Sequence, residues 1–152
     1  MPVIASGDVT SHAKALAVLA ATGAAAVMVG RGAQGNPWAI REIVFGDAEQ
    51  PSREEVVAEL IVFIRETVRE LGERRASGFL KKFYGWYLGH GRFPRPFKQE
   101  IVQLHSTENV VTRLLAAAPG AAELVERLEA ELPDPDDDVL LDSLPISVYG
   151  GG

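Results

Sequence analysis

The sequence contains no cysteine. Disulfides, thiolate zinc ligands and a thiol nucleophile are therefore excluded from these residues, which fits a reducing compartment. No apolar run approaches the ~18 residues that a membrane-spanning helix needs. The opening "MPVIASGDV" lacks the basic segment and long apolar stretch of a secretory signal. A cytoplasmic protein without a membrane segment is the expectation. Histidine is scarce: His12, His90 and His105 stand far apart, with no carboxylate at ligand spacing, so no metal site is expected. The net charge of −6, taken alone, argues against nucleic-acid binding.

That average conceals a second absence. Residues 74 to 98 contain no Asp or Glu but hold Arg74, Arg75, Lys81, Lys82, Arg92, Arg95 and Lys98. Acid gathers elsewhere, above all in "PDPDDD", residues 133 to 138. Local asymmetry of this kind says more about partners than the sum does. The remaining composition, 47% hydrophobic and 24% charged, is that of a globular chain with a sizeable core.

The chain changes period along its length. "PVIA", residues 2 to 5, is a β-branched apolar run that reads as a buried parallel strand, ended by Ser6-Gly7-Asp8. Thr10 or Ser11 can cap the helix "HAKALAVLAATG", with Ala13, Leu16, Ala17 and Ala20 on one face and Gly23 as its stop. "AAVMVG", residues 25 to 30, is a second strand, and the three elements make one right-handed βαβ unit. Asn36-Pro37 then opens another helix, with Pro37 in the first turn, where its missing N–H costs nothing.

From Ser52 onward the pattern is purely helical. Ser52 and Glu55 form a capping box, and Val56, Val57, Leu60, Ile61, Ile64, Val68 and Leu71 form a wide apolar stripe. Further helices are expected over about 75–89, 95–104, 106–119 and 121–132. The acidic tail, 133–152, has no period and reads as disordered. The organisation is thus α/β over 1–50, all-α over 51–132, then the tail. Two parallel apolar strands need cover on both faces and partners on both edges. Nothing after residue 30 supplies another strand, so the chain reads as the end of a larger protein.

"VMVGRGAQGNPW", residues 27 to 38, breaks from strand into glycines where a helix should start. A glycine turn at the C-terminal end of a parallel strand aims several N–H groups one way, and with the helix dipole these bind phosphate. Two such turns occur, Ser6-Gly7-Asp8 and Gly30-Arg31-Gly32. In a (β/α)8 barrel the loops after strands 7 and 8 form the standard phosphate site. Arg31 could add a charge-assisted bond. The plainer reading is tight turning alone, and two turns in adjacent units tip the balance toward phosphate. Asp8 would repel a phosphate, so it is expected to cap the next helix or meet a ligand hydroxyl. Trp38 is expected to pack between the two parts of the chain.

"RRASGFLKKFYGWYLGHGRFPRPFK" holds seven of the eleven aromatic residues together with the acid-free basic stretch. Interleaved cations and rings suit RNA, phosphates meeting the first and unpaired bases the second. Helical spacing puts Phe79, Leu80, Phe83, Trp86 and Tyr87 largely on one face, so several rings must be core. Lys81 and Lys82 fall away from that stripe. An amphipathic helix with a solvated basic face stands beside the RNA reading, which Arg92, Arg95 and Lys98 strengthen by continuing the charge.

The combination "PVIASGDV…AKA…TGAAAVMVGRGAQGNPW", followed by "KKFYGWYLGH", resembles the C-terminal part of bacterial tRNA-dihydrouridine synthases, over residues 2 to 118. The resemblance implies the last βαβ unit of a (β/α)8 TIM barrel, followed by a C-terminal helical bundle that helps hold tRNA. It implies FMN, with its phosphate on Ser6, Gly7, Asp8, Gly30 and Arg31; the family usually has Asn where this chain has Ser6. The tRNA-holding role of that bundle agrees with the basic stretch read above, where RNA contacts are expected at Lys81, Lys82, Arg92, Arg95 and Lys98. The full-length enzyme is expected to be monomeric. The implied reaction reduces uridine in tRNA to 5,6-dihydrouridine. Reduced FMN gives hydride to uracil C6, a cysteine protonates C5, and NADPH reloads the flavin. That cysteine and the earlier strands are absent here, so no catalytic residue is assigned and the isolated chain is expected to be inactive. The rival classes are a stand-alone helical RNA-binding module or remnant, and another phosphate-binding flavin barrel acting on a small molecule. The latter would explain residues 1 to 32 but not the basic helices.

Overall fold

The computed structural model describes residues 1–46 and 49–132; the acidic tail lies outside them. Two parallel strands come first, β1 (Ile4–Gly7) and β2 (Ala26–Val29), bridged by helix α1 (His12–Thr22). The first strand runs two residues further than its apolar pattern suggests. Ser6 and Gly7 pair with Met28 and Val29 rather than turning away. Ser11 caps α1, its Oγ accepting from the Lys14 N–H, and Gly23 ends the helix.

A 3-10 turn, Arg31–Ala33, follows β2, and helix α2 spans Ala39–Phe45. This helix starts later than Pro37 suggests, because the Ala39 N–H donates to the Asn36 carbonyl and closes a turn across Pro37 and Trp38. His12 ties α1 to α2: its Nδ1 lies 2.7 Å from the Ile43 carbonyl. A carbonyl only accepts, so Nδ1 carries the proton.

Val9, Ala15, Ala39 and Ile43 form the small core of this unit. The α1 face bearing Ala13, Leu16, Ala17 and Ala20 is exposed, because α2 and β2 cover the opposite side. Both strands stay open as well, with Ile4 65% and Met28 54% exposed.

The second unit is a helical bundle: α3 (Arg53–Leu71), α4 (Glu73–His90), α5 (Arg95–Gln103), α6 (Thr107–Ala117) and α7 (Ala121–Glu131). The Ser52–Glu55 capping box is formed on both sides. Helix α3 is central and packs against α4, α6 and α7. Val56, Val57, Leu60, Ile61 and Ile64 are fully buried, each such side chain contributing about 1.5–3 kcal/mol. Val68 is half-buried and Leu71 exposed. One residue joins α3 to α4: Gly72, at φ +74°, in the left-handed region glycine tolerates best.

Three side chains couple elements distant in sequence. Glu73 accepts from both the N–H and the hydroxyl of Thr107 and so caps α6. Arg65 meets Glu129 at 2.7 Å between α3 and α7. Arg113 forks onto Glu100 while lying over the Phe97 ring.

Candidate functional site

The strand register sets the first part of the site. Gly7 is paired with Val29, so both glycine turns leave the sheet at the same end, about 4.8 Å apart. Ser6, Gly7, Asp8, Gly30 and Arg31 are all exposed there. A Cβ built at Gly7 or Gly30 meets nothing within 4 Å, so the backbone is open to an approaching group. Gly32 differs, because a Cβ there would lie 2.8 Å from the Val9 carbonyl; it lets the two turns touch.

Asp8 neither caps α1, a role Ser11 fills, nor stands alone. It accepts from Arg31 Nη2 at 3.1 Å, with both side chains largely exposed. This bridge ties the two turns together, so Arg31 is engaged by a carboxylate rather than left free for a phosphate. An exposed pair of this kind is worth about 0–1 kcal/mol, and a stronger anion can displace it.

The second part is the outer side of α4. Ala76, Leu80, Tyr84, Tyr87 and Leu88 form its buried stripe. Phe79 and Trp86, grouped with the core by simple spacing, are instead 40% and 43% exposed. They continue a ring contact series: Phe79 with Phe83 at 5.1 Å, then Phe83 with Trp86 at 5.3 Å. Lys82 does not fall away from these rings. Its Nζ sits 4.7 Å from the Phe79 centroid and 4.9 Å from that of Phe83.

Lys81 is half-buried, and the exposed Arg74 and Arg75 lie on the same outer side by the 100° helical step. Neither was among the candidate contacts, although their place in the acid-free stretch was the available signal. Arg92 follows α4, and Arg95 and Lys98 lie in the first turns of α5. At 1.5 Å per residue Arg92 stands about 15 Å beyond Lys82. Lys81 and Lys82 thus lie on α4, Arg92 on the turn after it, and Arg95 and Lys98 on α5, so the five cations are spread over two helices and the turn between them.

Arg92 has φ +53°, rare for a residue with a side chain. Arg53 holds the turn by donating to the Gly91 and Arg92 carbonyls at 3.1 and 3.2 Å.

Trp38 and Trp86 bring the two parts together. Trp38 packs on the helical core, edge-on to Tyr87 at 6.4 Å and tilted against His90 at 5.8 Å, the packing role expected from sequence. Burial holds the His90 imidazole below its usual pKa of 6.5. Gly35, at φ +63°, lies directly against Trp86, where a Cβ would come within 2.6 Å of the Trp86 Cβ. Among the described residues, no group of three or more His, Asp or Glu could hold a metal ion, and no helix is long and apolar enough to cross a membrane.

Paired glycine turns thus lie beside a basic, ring-bearing helix, and comparison with known proteins gives the chain a family. The dihydrouridine synthase (Dus) family model matches residues 1–123, and the chain belongs to that family. It is 35% identical over 135 residues to tRNA-dihydrouridine synthase B of Proteus vulgaris, covering 86% of this chain and 38% of the relative. The Salmonella typhimurium protein of the same name is 36% identical, with the same coverage. That of Serratia marcescens is 37% identical, covering 86% of this chain and 36% of the relative. The chain therefore spans well under half the length of these relatives.

Proposed function

We propose that this chain supplies the flavin-phosphate turns and the RNA-facing helices of a tRNA-dihydrouridine synthase, which reduces uridine in tRNA to 5,6-dihydrouridine. The observation that carries the reading is the junction itself. Two glycine turns leave adjacent strands side by side, and the same unit docks through Gly35 against the ring-bearing face of α4. The family and the names of the relatives support the same activity.

The residues present fit a flavin phosphate. Gly7 and Gly30 offer open backbone, Ser6 offers a hydroxyl, and Arg31 offers a cation held by an exchangeable partner. Asp8 steers Arg31 until the phosphate arrives and is then free for a ligand hydroxyl. When bound, reduced FMN supplies the hydride for the uracil ring, and NADPH restores it. β1 and β2 are the last two strands of a (β/α)8 barrel, a place that accounts for their open edges and the exposed Ile4, Met28 and Phe45. Residues 51–132 are the tRNA-holding domain, through Lys81, Lys82, Arg92, Arg95 and Lys98. The full-length enzyme acts as a monomer in the cytoplasm.

The test titrates the 152-residue chain with unmodified tRNA at two salt concentrations and assays FMN retention in parallel. Five phosphate contacts, one for each of these cations, predict an affinity loss of roughly a hundredfold for a fourfold rise in salt. Without its other strands the barrel end is expected to keep no flavin. Absence of tRNA binding would sink the RNA assignment. Tight FMN binding by this chain would sink the barrel assignment. The helices alone have a complete core, so salt-dependent RNA binding by a longer chain that never takes flavin would favour a pure RNA-binding module.

A further inference from the structure

Between α4 and the turn after β2 runs an open groove of about 610 Å³. Arg31, Gln34 and Asn36 line it from the turn; Trp86, Gly89 and His90, one helical turn apart on α4, line it from the other side. Among the described residues no carboxylate lines it. Its polar groups are a guanidinium, two carboxamides and an imidazole, the side chains that hydrogen-bond base edges. Neither carboxamide is engaged by another described residue.

Trp86 is fixed without being covered. Gly35 lies against its inner side and Phe83 meets it edge to face at 5.3 Å, yet the residue stays 43% exposed. A large ring held in place and open to water is a ready stacking platform, because its ordering is complete before a ligand arrives. The sole acidic residue of α4 is Glu73, and it is turned onto Thr107. What the outer side of the helix offers a partner is Arg74, Arg75, Lys81 and Lys82. The complementary partner is a polyanion with free ring faces.

We propose that this groove takes one unpaired RNA base, stacked on Trp86 and read at its edge by Gln34 and Asn36, while the flanking strand runs along the cations of α4. The inference rests on the RNA-binding reading above and adds the site and the strandedness of what binds. Duplex RNA does not suit it, since paired bases already stack on one another and present phosphates and 2′-hydroxyls outward. Gly89 supplies a second handle. A Cβ there meets nothing within 4 Å among the described residues, so packing does not demand glycine at this position in the last turn of α4. Its bareness keeps the groove open.

The experiment measures anisotropy of a 5′-labelled eight-residue uridine RNA, the same strand annealed to its complement, and unmodified tRNA. Each is titrated with the 152-residue chain and with Trp86→Leu and Gly89→Ala, with circular dichroism melts as the folding control. The single strand is expected to bind at least about tenfold tighter than the duplex. Trp86→Leu should weaken the single strand by about tenfold, the size of one lost base stack, and change the duplex little. Gly89→Ala should raise the melting midpoint, since alanine favours helix, yet weaken the single strand severalfold. Equal binding of both strand forms, or full single-strand affinity in both variants, overturns the groove while salt-dependent tRNA binding leaves the RNA reading standing. Failure of all three RNAs to bind overturns both.

Discussion

Glu59 sits half-buried in α3, where burial first and the neighbouring Glu55 carboxylate second raise its pKa above 4.5. The folded state therefore holds this proton to a higher pH than the unfolded state does, and stability falls as pH rises through that interval. At neutral pH the ionised carboxylate works against the fold. Glu59→Gln is expected to stabilise the fold at pH 7 by no more than about 1 kcal/mol after solvent screening, read as a higher melting midpoint, and to gain nothing near pH 4. A pair of melts at the two pH values checks this. Equal gains at both would assign the effect to packing rather than charge.

Arg92 offers a second residue-scale test, because its left-handed backbone costs a side chain about 1–2 kcal/mol. Arg92→Gly is expected to leave the midpoint unchanged or higher, whereas Arg92→Ala keeps the strain. Both should reduce the salt slope of tRNA binding by about 1 if Arg92 meets a phosphate. An unchanged slope would remove Arg92 from the RNA surface.

At the scale of elements, much of the molecule could be read directly, for a local reason. The Ser52–Glu55 box and the Gly23 stop act within four residues and stand where the sequence puts them, and of the two caps it offered, Thr10 and Ser11, the second is used. The starts of α5, α6 and α7 follow from Pro, Ser and Gly signals in the same way. What escaped was set from a distance. β1 gained Ser6 and Gly7 because β2 pairs with them. The Asp8–Arg31 bridge spans 23 residues, and the Glu73 cap of Thr107 spans 34. Spacing could group Phe79 and Trp86 with the rings of the core, but only packing decides which rings are covered. The long-range cap predicts a measurable cost. Glu73→Ala leaves the Thr107 N–H at the start of α6 without its partner and is expected to destabilise the bundle by about 1–2 kcal/mol. Denaturant titration measures it, and a loss under about 0.3 kcal/mol would mean that water replaces Glu73 freely.

At the scale of the whole molecule, the described residues form two cores of unequal size, one of four buried residues around α1 and α2 and one extending through all five bundle helices. Gly35 is where the smaller is seated on the larger. A methyl group at that position would meet Trp86 at 2.6 Å on a backbone already at φ +63°. Gly35→Ala is therefore expected to unseat the α/β unit while leaving the bundle folded. Hydrogen exchange should rise over residues 26–45 and stay slow in α3. Uniform acceleration would show instead that the two cores melt together.

The chain has only two tryptophans, Trp38 and Trp86, and both stand where the two units meet. Its intrinsic fluorescence is thus a signal from the junction, with no indole elsewhere to dilute it. Separation of the two units would shift that emission while far-ultraviolet ellipticity, dominated by the bundle, held steady. A ligand seated between the units would quench it without any added label.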